Sequence, residues 1–130
     1  MRGDRARPIR HVYPFEKLRV WQSARSLIKN IYRTTRSFPR SEIYGLTSQT
    51  NRSAVSVAAN LAEGCSRTSR KDQAHFSQIA YGSLMELACL LIVAVDLEFL
   101  RPDQESTLRA EIETVSRQLN ALRSAQVSSL

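Results

Sequence analysis

The chain contains few of the residues that interrupt helices or crosslink a fold. Glycine and proline occur four times each among 130 residues, and aromatic residues make up 7%. So few helix breakers, with 42% hydrophobic residues, favour one domain built from long helices. Two cysteines, Cys65 and Cys89, are too few and too far apart for a disulfide framework or a zinc site. We expect free thiols in a reducing cytoplasm, and no metal or other cofactor.

Long hydrophobic runs are also missing. The longest, Leu87 to Val95, has nine residues and acidic neighbours, whereas a membrane-spanning helix needs ~20 apolar residues. No apolar segment follows the first residues, so we expect no signal peptide. The sequence therefore predicts a soluble cytoplasmic protein without a membrane partner.

Acidic residues are scarce in the first half of the chain. The net charge is +7, yet residues 13–72 carry eleven Lys and Arg against four Asp and Glu, and residues 73–130 carry four Arg against seven acidic residues. Residues 1–12 add four arginines and one aspartate, which predicts a disordered basic tail. This asymmetry favours a polyanionic partner such as RNA or DNA.

The spacing of apolar residues predicts four helices and no strand. Pro39 should end the first helix, Ser41 should cap the second, and Gly64 should end the second in a left-handed backbone conformation. The predicted helices cover residues 15–38, 41–63, 70–100 and 103–124. Short connections between them predict an all-α, up-down-up-down antiparallel four-helix bundle over residues 13–124, followed by a frayed end at residues 125–130.

Two of these helices carry further information. In the fourth, apolar residues recur at alternating spacings of four and three, as in a coiled-coil seam, at Leu108, Ile112, Val115, Leu119 and Leu122. The second half of the third helix is apolar nearly all round, which requires cover on several sides. In so small a domain, that pattern predicts burial against neighbouring subunits of an oligomer.

Residues suited to catalysis are sparse. Asp72 and His75 share a helix face, but there is no second copy of the motif as a di-iron bundle requires. Cys65 and His75 could meet across the turn, yet no third group is placed to orient the histidine. We therefore predict no catalytic site and no enzymatic activity. Gly45 and Gly82 stand isolated within predicted helices, which we interpret as points of close helix approach.

The end of the second predicted helix has a polar group of its own. Asn60 follows a stripe of small residues and could hydrogen-bond across the bundle or to the turn. Glu63 could pair with Arg67 or Arg70. We interpret Asn60, Glu63 and Gly64 as a structural cap that locks the turn, with a ligand site as the alternative.

Basic side chains fall into a stripe along the first helix, one position on the second, and the turn before the third. A solvated face is the ordinary explanation, and a phosphate-binding surface is the alternative that net charge supports. Tyrosines near these positions could add stacking or could simply pack. The predicted nucleic-acid contacts are Arg25, Lys29, Arg33, Arg36, Arg52, Arg67, Arg70 and Lys71.

An ordered set of short motifs resembles one known family. FEKLRVWQSARSL, FPRSEIYGLTSQTNRSAVSVAANLAEGCSR and FSQIAYGSLMEL span roughly residues 13–100. Together they resemble the four helix bundle proteins encoded in intervening sequences of bacterial large-subunit ribosomal RNA genes. The fourth helix matches only in pattern. Thr50 stands where that family usually has a larger apolar residue, and Val57 and Leu61 stand where isoleucine is common.

The resemblance carries its own expectations. It implies a homopentamer of bundles around an axis, in a family whose biochemical function is largely unknown. A structurally similar relative, the accessory protein of diversity-generating retroelements, binds a reverse transcriptase and nucleic acid. The resemblance thus implies a non-enzymatic, oligomeric, RNA- or DNA-associated protein, or alternatively an accessory subunit of a nucleic-acid enzyme.

Overall fold

The computed structural model describes residues 9–128, which form four α-helices and no strand. Consecutive helices pack against each other, and the last packs against the first, whereas the backbones of the first and third do not approach each other closely. Short turns join them, so the helices alternate in direction and form the predicted up-down-up-down bundle. The helices are α1 (Arg19–Thr35), α2 (Leu46–Cys65), α3 (Arg70–Asp96) and α4 (Pro102–Ser128).

The core follows the apolar stripes of the sequence. On α4 the predicted seam is buried from Leu108 to Leu119, and Leu122 packs partly buried against it. On α1 and α3 the buried positions likewise recur every three or four residues, and they include Leu27, Leu84 and Leu91. Each fully buried leucine contributes about 1.5–3 kcal/mol by removing apolar surface from water. This regular spacing is why the helical periodicity predicted the fold class.

The chain enters the bundle differently from the prediction. Pro14–Lys17 form a 3-10 turn, and Leu18 has an extended backbone, so α1 begins at Arg19 rather than at Phe15. The backbone N–H of Tyr13 donates to the Glu16 carboxylate at 2.8 Å, which holds this turn. Trp21 packs against Phe15 with ring centroids 4.9 Å apart. The apolar residues before Arg19 therefore cover the bundle end without continuing the helix.

The start of α2 was also predicted wrongly. Ser41 lies in a second 3-10 turn, Arg40–Glu42, and does not cap the helix. Gly45 is the N-cap, and Glu42 supplies the missing side chain by accepting a hydrogen bond from the Leu46 N–H at 3.0 Å. A Cβ on Gly45 would lie 2.8 Å from Glu42 Oε1, so glycine leaves room for that carboxylate. Gly45 therefore makes room for the N-terminal cap of α2. It does not mark a point where two helices approach closely.

The remaining helix ends differ from the prediction as well, since α1 ends at Thr35, three residues before the predicted Phe38. Predicted to reach Leu100, α3 ends at Asp96, because Glu98 adopts a left-handed conformation with φ of 63°. The N–H groups of Phe99 and Glu98 then bond the carbonyls of Ala94 and Val95, as in a Schellman motif. By contrast, α4 extends to Ser128, four residues beyond its predicted end at Ser124. The predicted tail lies outside the described residues except for positions 9–12.

By length and composition alone, α3 is apolar enough to cross a membrane, a property it shares with core helices of soluble proteins. Its inner side packs into the bundle, but its outer side leaves apolar groups exposed. We call this outer side the α3 face. It comprises Ile79, Gly82, Met85, Ile92 and Val93.

Candidate nucleic-acid interface

The turn between α2 and α3 carries Arg67, Arg70 and Lys71, which we call the basic turn. Ser69 caps α3 by accepting a hydrogen bond from the Asp72 N–H at 3.1 Å. The Gln73 amide donates to the Arg67 carbonyl at 2.9 Å. The Arg67 guanidinium lies over the Phe76 ring, 4.7 Å from its centroid, a favourable cation–π arrangement. The two hydrogen bonds hold the backbone of the turn, and the contact with Phe76 positions the side chain of Arg67.

No carboxylate forms an ion pair with the basic turn within the described residues. Its three basic residues are exposed. Between residues 9 and 128 the structure has two ion pairs, Arg101 with Asp103 and Arg109 with Glu105. The predicted partner Glu63 forms neither of them. Because the positive end of the α3 dipole lies at the same place, the local potential favours an anion.

A second basic surface runs along α1. Arg25, Lys29, Arg33 and Arg36, the α1 stripe, are all exposed and span roughly 16 Å at 1.5 Å of rise per residue. Arg25 lies 5.5 Å from the Trp21 ring centroid. None of the four pairs with a carboxylate within the described part of the chain. The sequence-predicted stripe therefore exists as a continuous cationic helix surface.

Arg52 lies apart from both surfaces. It lines an open groove of about 530 Å³ between α2 and α3, together with Gln49, Ser56 and Glu86. No residue of the α1 stripe lines this groove. Tyr44, at the rim of the groove, is 98% exposed. The eight predicted contacts thus form two surfaces and one separate position.

The three residues of the predicted polar cap, Asn60, Glu63 and Gly64, are arranged differently from the prediction. Asn60 donates to the carbonyl and the hydroxyl of Ser56 at 2.8 and 3.0 Å, and Ser56 Oγ lies 2.8 Å from Ser83 Oγ. The amide therefore reaches α3 through a serine, instead of bonding the turn. Gly64 is buried inside α2, and no described glycine has a positive φ, so the left-handed prediction was wrong. The Glu63 carbonyl accepts from the Ser66 hydroxyl at 2.6 Å.

The candidate catalytic groups do not assemble. His75 is exposed, and its ring packs against the Phe76 ring in an edge arrangement. Among the ion pairs of the described residues there is none between His75 and Asp72. Burial raises the pKa of the Cys65 thiol, which disfavours the reactive thiolate. Within the same residues, no three potential metal ligands lie together.

Comparison with known proteins places this bundle in a family. The sequence matches the model of the 23S rRNA-intervening sequence protein family over residues 16–121. The chain belongs to this family. The match confirms the resemblance found in the sequence and extends it into α4. No curated protein matches this family member.

A solved structure supports the same fold. This 23S rRNA-intervening sequence family protein is similar to a protein of unknown function of the S23 ribosomal protein family from Bacteroides thetaiotaomicron. The two are 20% identical with a TM-score of 0.70, and the alignment covers 80% of this chain and 97% of that chain. At this identity the likeness establishes the fold.

Sequence reasoning missed two polar groups near the basic turn. Gln126 and Ser77 are buried at the end of the bundle where α2 meets α3. Gln126 was assigned to a frayed terminus, and Ser77 is one of many serines. Extending the α4 period by one turn beyond Leu122 would have placed Gln126 on the core side.

Proposed function

We propose that this protein is a non-enzymatic, oligomeric RNA- or DNA-binding protein of the cytoplasm. The observation that carries the proposal is electrostatic. Eight exposed basic residues were predicted as contacts, and none has a carboxylate partner within the described residues. When an unpaired Lys or Arg contacts a phosphate, counterions condensed on the nucleic acid are released. This release of counterions drives binding.

The two cationic surfaces suit different parts of one ligand. The α1 stripe is long enough to follow several successive phosphates, while the basic turn offers a compact site beside a helix N-terminus. The side chains of the described bundle do not suggest a catalytic centre. Burial favours the protonated thiol of Cys65, and His75 lacks a partner that would orient its ring. The arrangement supports binding and not turnover.

The oligomeric part of the proposal rests on the α3 face. Ile79, Met85 and Ile92 are 38–44% exposed within a single chain, and contiguous exposed apolar side chains mark interaction surfaces. Gly82 lies among them, and a Cβ there would meet nothing within 4 Å. Close approach within the bundle therefore does not explain this glycine. Close packing of a second copy does, and the family resemblance favours a ring of five.

An accessory subunit of a nucleic-acid enzyme is the second candidate. The exposed side chain of Tyr44, which lines the α2–α3 groove, favours it, because a protein partner would bury this ring. In that case the protein alone would bind RNA weakly and would co-purify with the enzyme.

The test is a salt series with nuclease-treated protein and labelled structured RNA. We expect affinity to fall steeply between about 50 and 200 mM salt. Replacing the basic turn (Arg67→Ala, Arg70→Ala and Lys71→Ala together) should reduce the log–log salt slope by roughly 2–3, at ~0.9 per lost phosphate contact. The control carries the same charge change away from both basic surfaces: Arg101→Ala just before α4, and Arg109→Ala and Arg117→Ala within it. It should bind nearly as wild type. Absence of binding at low salt would refute direct recognition.

The oligomer is tested separately. Gly82→Gln adds a polar side chain to the α3 face without a clash inside the chain. We expect sedimentation to show a smaller species than wild type, while helical content is unchanged. Ala121→Gln, at an exposed position of α4, is the control. An unchanged sedimentation coefficient for Gly82→Gln would exclude this face as the subunit contact.

A further inference from the structure

A cavity of about 250 Å³ lies at the end of the bundle that carries the basic turn. All four chain segments at that end contribute to it: the entry segment before α1, the end of α2, the start of α3 and the end of α4. Taking about 30 Å³ per water molecule, it has the volume of roughly eight waters. That volume suits one small planar ring system and is below that of pockets for drug-sized ligands, which start at ~300 Å³.

The lining combines apolar walls with polar groups that lack partners. Leu18, Leu61 and Leu122 supply apolar surface. Gln126 is 8% exposed, and its Oε1 is buried with no hydrogen-bond partner among residues 9–128. Ser77 is 3% exposed, and its hydroxyl makes no hydrogen bond to the described residues. Gln73 is tethered through its NH₂ group to the turn, which leaves its side-chain oxygen available.

The polar side chains that line the cavity can act as hydrogen-bond donors or acceptors, as a bound ligand requires. The terminal torsion of glutamine is soft, so Gln126 can present either its oxygen or its NH₂ group. A serine hydroxyl both donates and accepts. Apolar walls with a few convergent donors and acceptors are the composition of small-molecule sites, and amide side chains match the donor–acceptor edges of nucleobases.

The cavity is joined to the basic turn by a direct contact. Gln73 lines the cavity and donates to the carbonyl of Arg67. Gly64 and Cys65, the last residues of α2 before the turn, also line it. A heterocycle in the cavity would thus have its attached phosphate at the end of the bundle that carries the basic turn.

We propose that this cavity receives the base of one unpaired nucleotide whose phosphate lies on the basic turn. This proposal rests on the proposed nucleic-acid function and adds a base-dependent step to it. The nucleotide comes from a single strand or is free in solution, and the test distinguishes these sources.

The experiment compares an oligoadenylate RNA of about ten nucleotides with an abasic ribose–phosphate strand of equal length, using full-length protein. We expect wild type to bind the intact strand roughly tenfold more tightly, the scale of one enclosed base. Gln126→Leu should abolish most of this preference. Its control is Gln118→Leu, which also removes an unpaired buried amide oxygen from α4, but outside the cavity lining. The control should keep the preference.

A second readout reports occupancy directly. Cys65 lines the cavity. We expect the intact strand to slow alkylation of Cys65 several-fold, with the abasic strand as the control. Adenosine monophosphate in place of the strand gives the other arm. Protection of Cys65 by the mononucleotide at similar concentration would support the base site and assign it to free nucleotides.

The outcomes separate the two proposals. If neither strand binds, the nucleic-acid function fails and the base site fails with it. If both strands bind equally and Cys65 is not protected, the phosphate-binding function stands and the base site is refuted. A base preference that survives Gln126→Leu would likewise refute the cavity as its source.

Discussion

Gly64 of α2 and Phe76 of α3 approach so closely that a Cβ built on Gly64 would lie 3.1 Å from the Phe76 Cβ. The contact occurs next to the basic turn, beneath the Phe76 ring that supports Arg67. A glycine inside a helix costs about 1 kcal/mol relative to alanine. Here that cost is offset by the close packing of the two helices that hold the turn.

Gly64→Ala is therefore expected to destabilise the fold by about 1 kcal/mol. Overpacking at a β-carbon costs about 1–3 kcal/mol, which exceeds the gain in helix propensity. Urea unfolding measures the difference. Ala121→Gly on the exposed side of α4 calibrates propensity alone and should lose about 1 kcal/mol. A net stabilisation by Gly64→Ala would show that Phe76 moves aside without cost.

The sequence predicted the bundle because its apolar stripes are long and regular on all four helices. It failed at helix ends, where single side chains and backbone conformations decide. Gly45 with the Glu42 carboxylate replaces Ser41 at the start of α2, and Glu98 ends α3 although glutamate has no preference for a left-handed backbone. Such ends depend on single side chains and backbone conformations that periodicity does not encode.

The candidate interface was predictable only in part. The four-residue spacing of Arg25, Lys29 and Arg33 on a helix suffices to place them on one face. That Arg52 lines a separate groove depends on which helices are neighbours. The cavity was not predictable, because it forms where four distant segments meet and Gln126 has no local motif.

Thr50 tests how much a buried hydroxyl group without a hydrogen-bond partner costs in stability. It is fully buried, and its hydroxyl has no hydrogen-bond partner in the described chain. Thr50→Val keeps the shape and removes a desolvated polar group, so we expect a gain of about 1–2 kcal/mol in unfolding free energy.

Thr35→Val is the matched control. The Thr35 hydroxyl donates to Asn51 Oδ1 at 2.9 Å, which links α1 to α2. The same substitution there should lose about 1 kcal/mol, because it breaks a bond and leaves Asn51 without that donor. Equal effects at the two threonines would contradict this assignment.

Glu98 tests the termination of α3. A non-glycine residue in the left-handed region is strained by about 1 kcal/mol, and Glu98 makes no side-chain hydrogen bond or ion pair within residues 9–128. Glu98→Gly should therefore raise thermal stability modestly, by up to about 1 kcal/mol. Glu113→Gly, in the interior of α4, should lower it by a similar amount. A loss at both positions would mean that Glu98 has a stabilising contact outside the chain.

Cys65 predicts a pH dependence at the cavity end of the bundle. Burial raises the pKa of its thiol above the usual 9.0 in the folded protein, so the folded state retains the proton at pH values where the unfolded chain loses it. Its stabilising contribution is therefore complete below about pH 9 and is lost as pH rises through the folded-state pKa.

The measurement is urea unfolding of wild type and Cys65→Ala at about pH 8 and about pH 10. Other titrating groups contribute to both proteins and cancel in the difference. We expect the stability of wild type relative to Cys65→Ala to decrease at the higher pH. A difference that stays constant would show that the thiol titrates alike in folded and unfolded chains, and thus that the end of the cavity beside Cys65 is open to water.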